Sequence, residues 1–207
     1  MSVFKSYASS FRAALKGSSN WYIAGVMGLI CLLIAAMTDG GMAALKYDRL
    51  KIEEGEYWRL LTGHFTHLSV AHLNLNLFGL FLVWLLVGRY YSSLQWLVVI
   101  LFCLITASAG LWFIDPNILW YVGLSGILHG FLLAGAMQGC RVLPIENAII
   151  FAIVTGKLVY EQVAGPVPGA ESGSGGSVVV NAHLFGSVGG ILGATILWRS
   201  GMINRSI

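Results

Sequence analysis

Charge is what this chain has least of. Asp, Glu, Lys and Arg make up 10% of its 207 residues and hydrophobic residues 57%, where ordinary soluble domains carry about 25% charged residues. That balance excludes a freely soluble domain and marks an integral membrane protein. The net charge is +3, and the scattered basic residues give no support for binding nucleic acid. Cysteine is scarce too. Cys31, Cys103 and Cys140 are odd in number and lie in or at the ends of apolar runs, which reads as free packing thiols without a disulfide framework or zinc-ligand spacing. Proline is nearly absent from the apolar runs. Pro116, Pro144, Pro166 and Pro168 fall at their junctions.

What is present is apolar sequence in lengths near the ~20 residues that a bilayer span needs. The runs are Trp21–Met37, Ala71–Val87, Leu94–Ile114, Gly123–Val142, Ile145–Val163 and Val178–Trp198. They predict an all-α membrane protein, a six-helix bundle over 21–199 with a cytoplasmic segment 1–20 and a short cytoplasmic tail 200–207. The first run follows Lys5, Arg12 and Lys16 like a signal peptide, but it exceeds the usual apolar core of ~7–15 residues and reads as an uncleaved anchor. Six spans put both ends on one side. If that side is the cytoplasm, it holds Lys5, Arg12, Lys16, Arg89, Arg141, Arg199 and Arg205 with Glu146 as its only acid, as the positive-inside rule favours. Parity then brings the starts of spans two, four and six toward the outer face at similar depth. The loop 38–66, amphipathic from Leu50 onward, reads as interfacial. The Gly/Ser/Pro-rich loop 165–177 suits either a mobile lid or a passive linker.

The residues able to do chemistry stand at those three starts. Imidazole and hydroxyl groups at membrane depth default to a functional role, and four of the five histidines lie in or at the lip of apolar runs. Ser125 sits in Gly123-Leu124-Ser125-Gly126-Ile127-Leu128-His129-Gly130. Glycines allow close backbone approach, and a helix start offers free N–H groups to an oxyanion. The run is not the soluble-hydrolase Gly-x-Ser-x-Gly elbow, because Ile127 holds the last glycine position. Ser and Gly are also common packing residues of membrane helices. His183 lies one turn ahead of Gly186 and Gly190, whose spacing lets two helices pack closely, and would supply the base that a serine needs. The acids Asp115 and Glu161 belong to outer loop ends, so a Ser–His dyad is expected, without a third member. His72 and Asn76 are one turn apart on one face and can donate to an oxyanion. His64, His67 and His72 also raise a metal site, but the ligand set is incomplete, so no metal and no cofactor is expected. His64 reads as a structural histidine. His129, one turn after Ser125, is expected to pack on or orient His183. Trp58 and Arg59 can anchor the outer loop to headgroups.

The ordered set Trp58-Arg59, His67, His72, Asn76, Gly123-Leu124-Ser125-Gly126 and Ala182-His183-x-x-Gly186-x-x-x-Gly190 resembles the rhomboid family of intramembrane serine proteases, over about residues 20–200. The resemblance implies a rhomboid-like six-transmembrane-helix bundle with Ser125 as nucleophile and His183 as general base. It further implies an oxyanion site of His72, Asn76 and the Ser125 N–H, with His67 and Arg59 bracing the first outer loop. Many rhomboids have tyrosine where this chain has His129. The run around Ser125, with Gly156-Lys157-Leu158-Val159-Tyr160-Glu161-Gln162 and Pro166-x-Pro168-Gly169, looks more like the rhombosortase branch. That branch implies a bacterial inner-membrane enzyme with its site toward the periplasm. Its substrates would be exported proteins with a C-terminal Gly-Gly sorting signal followed by a transmembrane helix. The partners expected are therefore transmembrane proteins and the lipid bilayer. A catalytically silent rhomboid-like chaperone or adaptor is the alternative, and a histidine-lined transport path is a third reading, for which no internal repeat is found.

Overall fold

The computed structural model describes residues 20–202. Most of the two end segments, with Lys5, Arg12, Lys16 and Arg205, lies outside the described residues. The chain is mostly helical, and its long helices fall on the apolar runs. They are α1 (Trp21–Ala36), α5 (Val70–Val87), α6 (Ser93–Ala109), α7 (Ser125–Gly139), α8 (Pro144–Ala164) and α10 (Val180–Arg199). Short helices α2 (Thr38–Leu45), α3 (Arg49–Glu53) and α4 (Arg59–Thr62) fold the first long loop, and α9 (Ala170–Ser174) folds the loop before α10. Local chemistry sets several of the boundaries. Ser69 accepts from the His72 N–H at 3.0 Å to start α5. Ser92 and Gln95 form a reciprocal capping box on α6, and Pro144 stands at the first position of α8, where its missing N–H is not needed.

Helix α7 is the centre, packed against α5, α6, α8 and α10. Glycine decides how closely α10 approaches. A Cβ on Gly186 would run into the backbone carbonyl of Gly126, and one on Gly190 into that of Gly130. The two backbones therefore touch over two turns, as small-residue stripes permit. Near the opposite end of the bundle Trp84, Trp96, Tyr91 and Phe131 form an aromatic cluster with ring centroids 4.9–6.1 Å apart. Its polar tips are satisfied: Trp96 Nε1 donates to the Gly88 carbonyl at 2.8 Å and Tyr91 Oη to that of Ala134 at 2.9 Å.

The first long loop is pinned by two buried arginines. Arg59 pairs with Glu56 at 2.6 Å and donates to the carbonyls of Ala43 and Lys46. The chain beyond α6 continues as a π turn over Gly110–Ile114, which leaves carbonyls exposed. The Arg49 guanidinium collects those of Leu111 and Trp112, with Asp115 and Ile118, while stacking on the Trp112 ring at 4.7 Å. Strands β1 (Tyr47–Asp48) and β2 (Trp120–Tyr121) then pair antiparallel, tying this loop to the segment that leads into Ser125.

Large apolar side chains such as Leu29, Leu33, Phe78, Leu85, Leu97 and Leu101 stand on the outside of α1, α5 and α6, a surface suited to lipid. Among the described residues three helices are long and apolar enough to cross a membrane: Val70–Tyr90, Ser93–Ile114 and Val180–Arg199. The other three expected spans differ for visible reasons. Helix α1 has 16 residues and α7 has 15, and α7 is so enclosed by its neighbours that it need not match lipid. Helix α8 has 21 residues but carries Glu146, Lys157 and Glu161.

Candidate active site

The residues that sequence reasoning singled out converge at the start of α7. Ser125 is its first residue, and no side chain caps that end, so the first N–H groups and the positive end of the helix dipole stand beside the hydroxyl. The approach to Ser125 is held by two hydrogen bonds on Gly123 and by the backbone conformation of that residue. The Gly123 N–H donates to the Gly63 carbonyl at 3.1 Å, its carbonyl accepts from Tyr121 Oη at 2.5 Å, and its φ is +127°. A side chain on Gly123 would be strained, and its Cβ would sit 2.9 Å from His72 Nε2. Glycine thus makes the room in which the His72 imidazole lies near the serine.

Ser125 Oγ is 2.9 Å from His183 Nε2. The other nitrogen of that ring, Nδ1, is 2.9 Å from Glu161 Oε2, and Glu161 Oε1 is 2.6 Å from Lys157 Nζ. His183 and Glu161 are buried, at 5% and 2% exposure. His129 stacks on His183 with centroids 4.4 Å apart and planes 23° from parallel, while its Nδ1 is 2.7 Å from the Ser125 carbonyl. On α5, the Leu68 N–H donates to His72 Nδ1 at 3.4 Å, which leaves the hydrogen on Nε2, the side facing Gly123. Asn76 Nδ2 donates to the His72 carbonyl at 3.0 Å, and its second hydrogen is left for another acceptor.

These groups line one cavity of about 400 Å³, bounded by α5, α7 and α8 and approached by Ala170 and Ser174 of α9. Its remaining wall is apolar, with Leu75, Val83, Leu128 and Leu132. The loop carrying α9 is latched down: Ser69 Oγ donates to the Ser174 carbonyl at 2.9 Å. His67 stands behind His72, ring edge to ring face with centroids 5.2 Å apart, and both of its nitrogens are buried. Burial holds the imidazole of His67 down at about 4, so it is neutral at pH 7. His64 is buried on Ser108, with Nε2 3.1 Å from Oγ.

Residues 54–200 match the Rhomboid domain family. The chain belongs to the rhomboid family. A relative, "Rhomboid protease GluP" of Bacillus subtilis (strain 168), is 37% identical over 81 residues. The shared stretch is 39% of this chain and 16% of that protein, so the chain spans well under two thirds of its relative.

In this rhomboid two expectations need correction. The first is that no acid stands beside His183. Glu161 does: it lies near the end of α8, but the helix turns that face inward, and Lys157 one turn back shares it. The second is Arg59 as a headgroup anchor. Arg59 is 5% exposed and spends its guanidinium on loop carbonyls, whereas Trp58 is exposed and donates to the Ala44 carbonyl at 3.3 Å. Of the histidines raised for a metal, His67 and His72 lie ring to ring, while His64 turns away to Ser108. Among the described residues the group close enough to share an ion is His129, Glu161 and His183, with ligand atoms within 4.8 Å of one another, and each of these already has a hydrogen-bond partner. Arg49 and Tyr121, which hold the segment leading to Ser125, carried no signal beyond a cation and an aromatic in connecting loops.

Proposed function

We propose that this rhomboid is an intramembrane serine endopeptidase in which Ser125 is the nucleophile and His183 the general base. One observation carries the reading: Ser125 Oγ lies 2.9 Å from His183 Nε2 in the wall of a cavity bounded by apolar helices. In the reaction Ser125 Oγ bonds to the scissile carbonyl carbon as its proton passes to Nε2, and the carbonyl electron pair moves onto oxygen. The Ser125 N–H, the His72 Nε2–H and the free Asn76 amide hydrogen receive that oxyanion. Collapse breaks the C–N bond, His183 gives its proton to the leaving amine, and water releases the acyl group by the same steps.

The fuller reading is a six-span bacterial inner-membrane protein with both ends in the cytoplasm and the site toward the periplasm. Its substrates are exported proteins with a C-terminal Gly-Gly signal before a transmembrane helix. The lysine–glutamate run of α8 and the Ser125 run support that branch, and the apolar cavity wall suits a transmembrane segment. Glycine pairs unwind a helix easily and fit a narrow site. A silent adaptor has no use for a serine and histidine in hydrogen-bond contact.

The test is co-expression with a Gly-Gly-tailed substrate and mass spectrometry of the new C-terminus. Ser125→Ala and His183→Ala each abolish cleavage while the protein stays inserted. A fluorophosphonate probe labels the wild type and not Ser125→Ala. Full cleavage by either variant overturns the assignment.

A further inference from the structure

We propose that Glu161 and Lys157 extend the pair into a hydrogen-bonded relay, Lys157–Glu161–His183–Ser125, in which the carboxylate positions the base and the lysine keeps the carboxylate ionised. The inference rests on the protease reading. It assigns roles to two residues of α8 that are positioning residues, since neither touches the substrate.

Geometry gives the first argument. An imidazole that is to accept a proton at Nε2 must carry its hydrogen on Nδ1. Nδ1 lies 2.9 Å from Glu161 Oε2, so an ionised carboxylate there accepts from Nδ1–H and turns the Nε2 lone pair to Ser125 Oγ. The opposite tautomer would place a hydrogen between Nε2 and Oγ and leave the hydroxyl without a base. Ring orientation is held as well. The stacked His129 fixes the imidazole plane, and the carboxylate fixes rotation within that plane.

Charge gives the second argument. A carboxylate at 2% exposure is costly unless compensated. Lys157 Nζ at 2.6 Å from the other carboxylate oxygen supplies the counter-charge, making the resting set neutral overall with His183 uncharged. When Ser125 attacks and its proton moves to Nε2, the imidazolium forms against an anion already in place, with no side chain needing to move. The proton then leaves with the amine and the set returns to its resting charge. An ordinary i,i+4 ion pair on a helix surface needs neither this burial nor a second bond to the base.

His183 is faced by Glu161 and Lys157 from α8, His129 from α7 and His72 from α5. Of these, Glu161 favours the imidazolium and Lys157 opposes it. The two charges therefore move the acidic limb of activity in opposite directions when removed. The experiment measures the rate of fluorophosphonate labelling of Ser125 against pH in the full chain, with melting in detergent as a folding control. Glu161→Gln slows labelling by about 10²–10⁴-fold, the scale seen when a serine-protease base loses its orienting carboxylate, and its acidic limb moves to lower pH. Glu161→Asp recovers part of the rate and moves the limb back. Lys157→Met moves the limb to higher pH. Glu161→Gln labelling within threefold of wild type with an unmoved limb overturns the relay while leaving Ser125 and His183 as the protease pair. If Glu161→Gln loses its melting transition, Lys157→Met decides, because it keeps both acid and base: a limb that stays or falls overturns the relay. Wild type that is not labelled at all takes down the protease reading and the relay with it.

Discussion

Two imidazoles meet Ser125, and hydrogen bonding gives them different work. His183 offers Nε2 to the serine hydroxyl at 2.9 Å. His129 is turned the other way: its Nδ1 is 2.7 Å from the Ser125 backbone carbonyl, which can only accept, so that nitrogen carries the hydrogen. What remains for His129 is its ring face against His183. An aromatic stack contributes about 0.5–1.5 kcal/mol beyond burial, which corresponds to roughly two- to tenfold in the orientation of the His183 ring. His129→Tyr keeps a ring in the stack and is expected to retain labelling and cleavage within about tenfold. His129→Ala removes the ring and falls further. Activity lost as completely in His129→Tyr as in Ser125→Ala would show that His129 handles a proton itself.

At the scale of elements, the distance between α7 and α10 decides whether His183 and Ser125 meet. Gly126, Gly130, Gly186 and Gly190 let the backbones touch, and a Cβ on Gly190 would press on the Gly130 carbonyl, which cannot swing aside. Gly190→Ala is expected to lower the melting temperature by an overpacking cost of about 1–3 kcal/mol and to slow labelling by drawing His183 from Ser125. Gly156 on α8 has nothing within 4 Å of an added Cβ, so Gly156→Ala should hold or raise the melting temperature, as helix propensity favours alanine by about 1 kcal/mol. Equal melting for the two variants would remove the close approach as the device that builds the site. Much of this was legible in the sequence. Apolar runs placed the long helices to within a few residues, and the four-residue glycine spacing marked the face of α10 that carries His183. What stayed hidden was the rotation of α8. Glu161 sits one turn from the end of an apolar run, a position equally compatible with water, lipid or the interior, and only packing selects among them. The visible signal was the Lys157–Glu161 pair on one face, two charges that membrane depth makes costly without a purpose. Arg49 was hidden for a related reason: its partners are carbonyls freed by a π turn that no pattern of side chains announces.

The whole molecule divides into an apolar bundle and a loop cap that braces the approach to Ser125, and two buried histidines of that cap predict an acid sensitivity. His64 is buried on Ser108 and edge-on to Tyr121, and burial pulls its imidazole down to about 4 from an ordinary 6.5. Burial holds His67 at about 4 as well. A histidine whose folded value lies below its unfolded value binds its proton more readily when the cap is open. Above pH 6.5 neither state is protonated and these residues make stability independent of pH. Between 6.5 and 4 the open form gains protons that the closed form refuses, so stability falls as pH falls. At 1.36 kcal/mol per unit, His64 alone accounts for roughly 3 kcal/mol across that window. Melting of the protein in detergent should therefore hold steady from pH 8 to 7 and decline steeply toward 4.5. His64→Gln keeps a hydrogen-bonding group for Ser108 but cannot titrate, and its melting curve should decline less steeply over the same window. Parallel slopes for the two proteins would place the acid sensitivity elsewhere. A shallower slope in the variant would place that share of the acid sensitivity at His64, the neighbour of Gly63, whose carbonyl holds the Gly123 N–H.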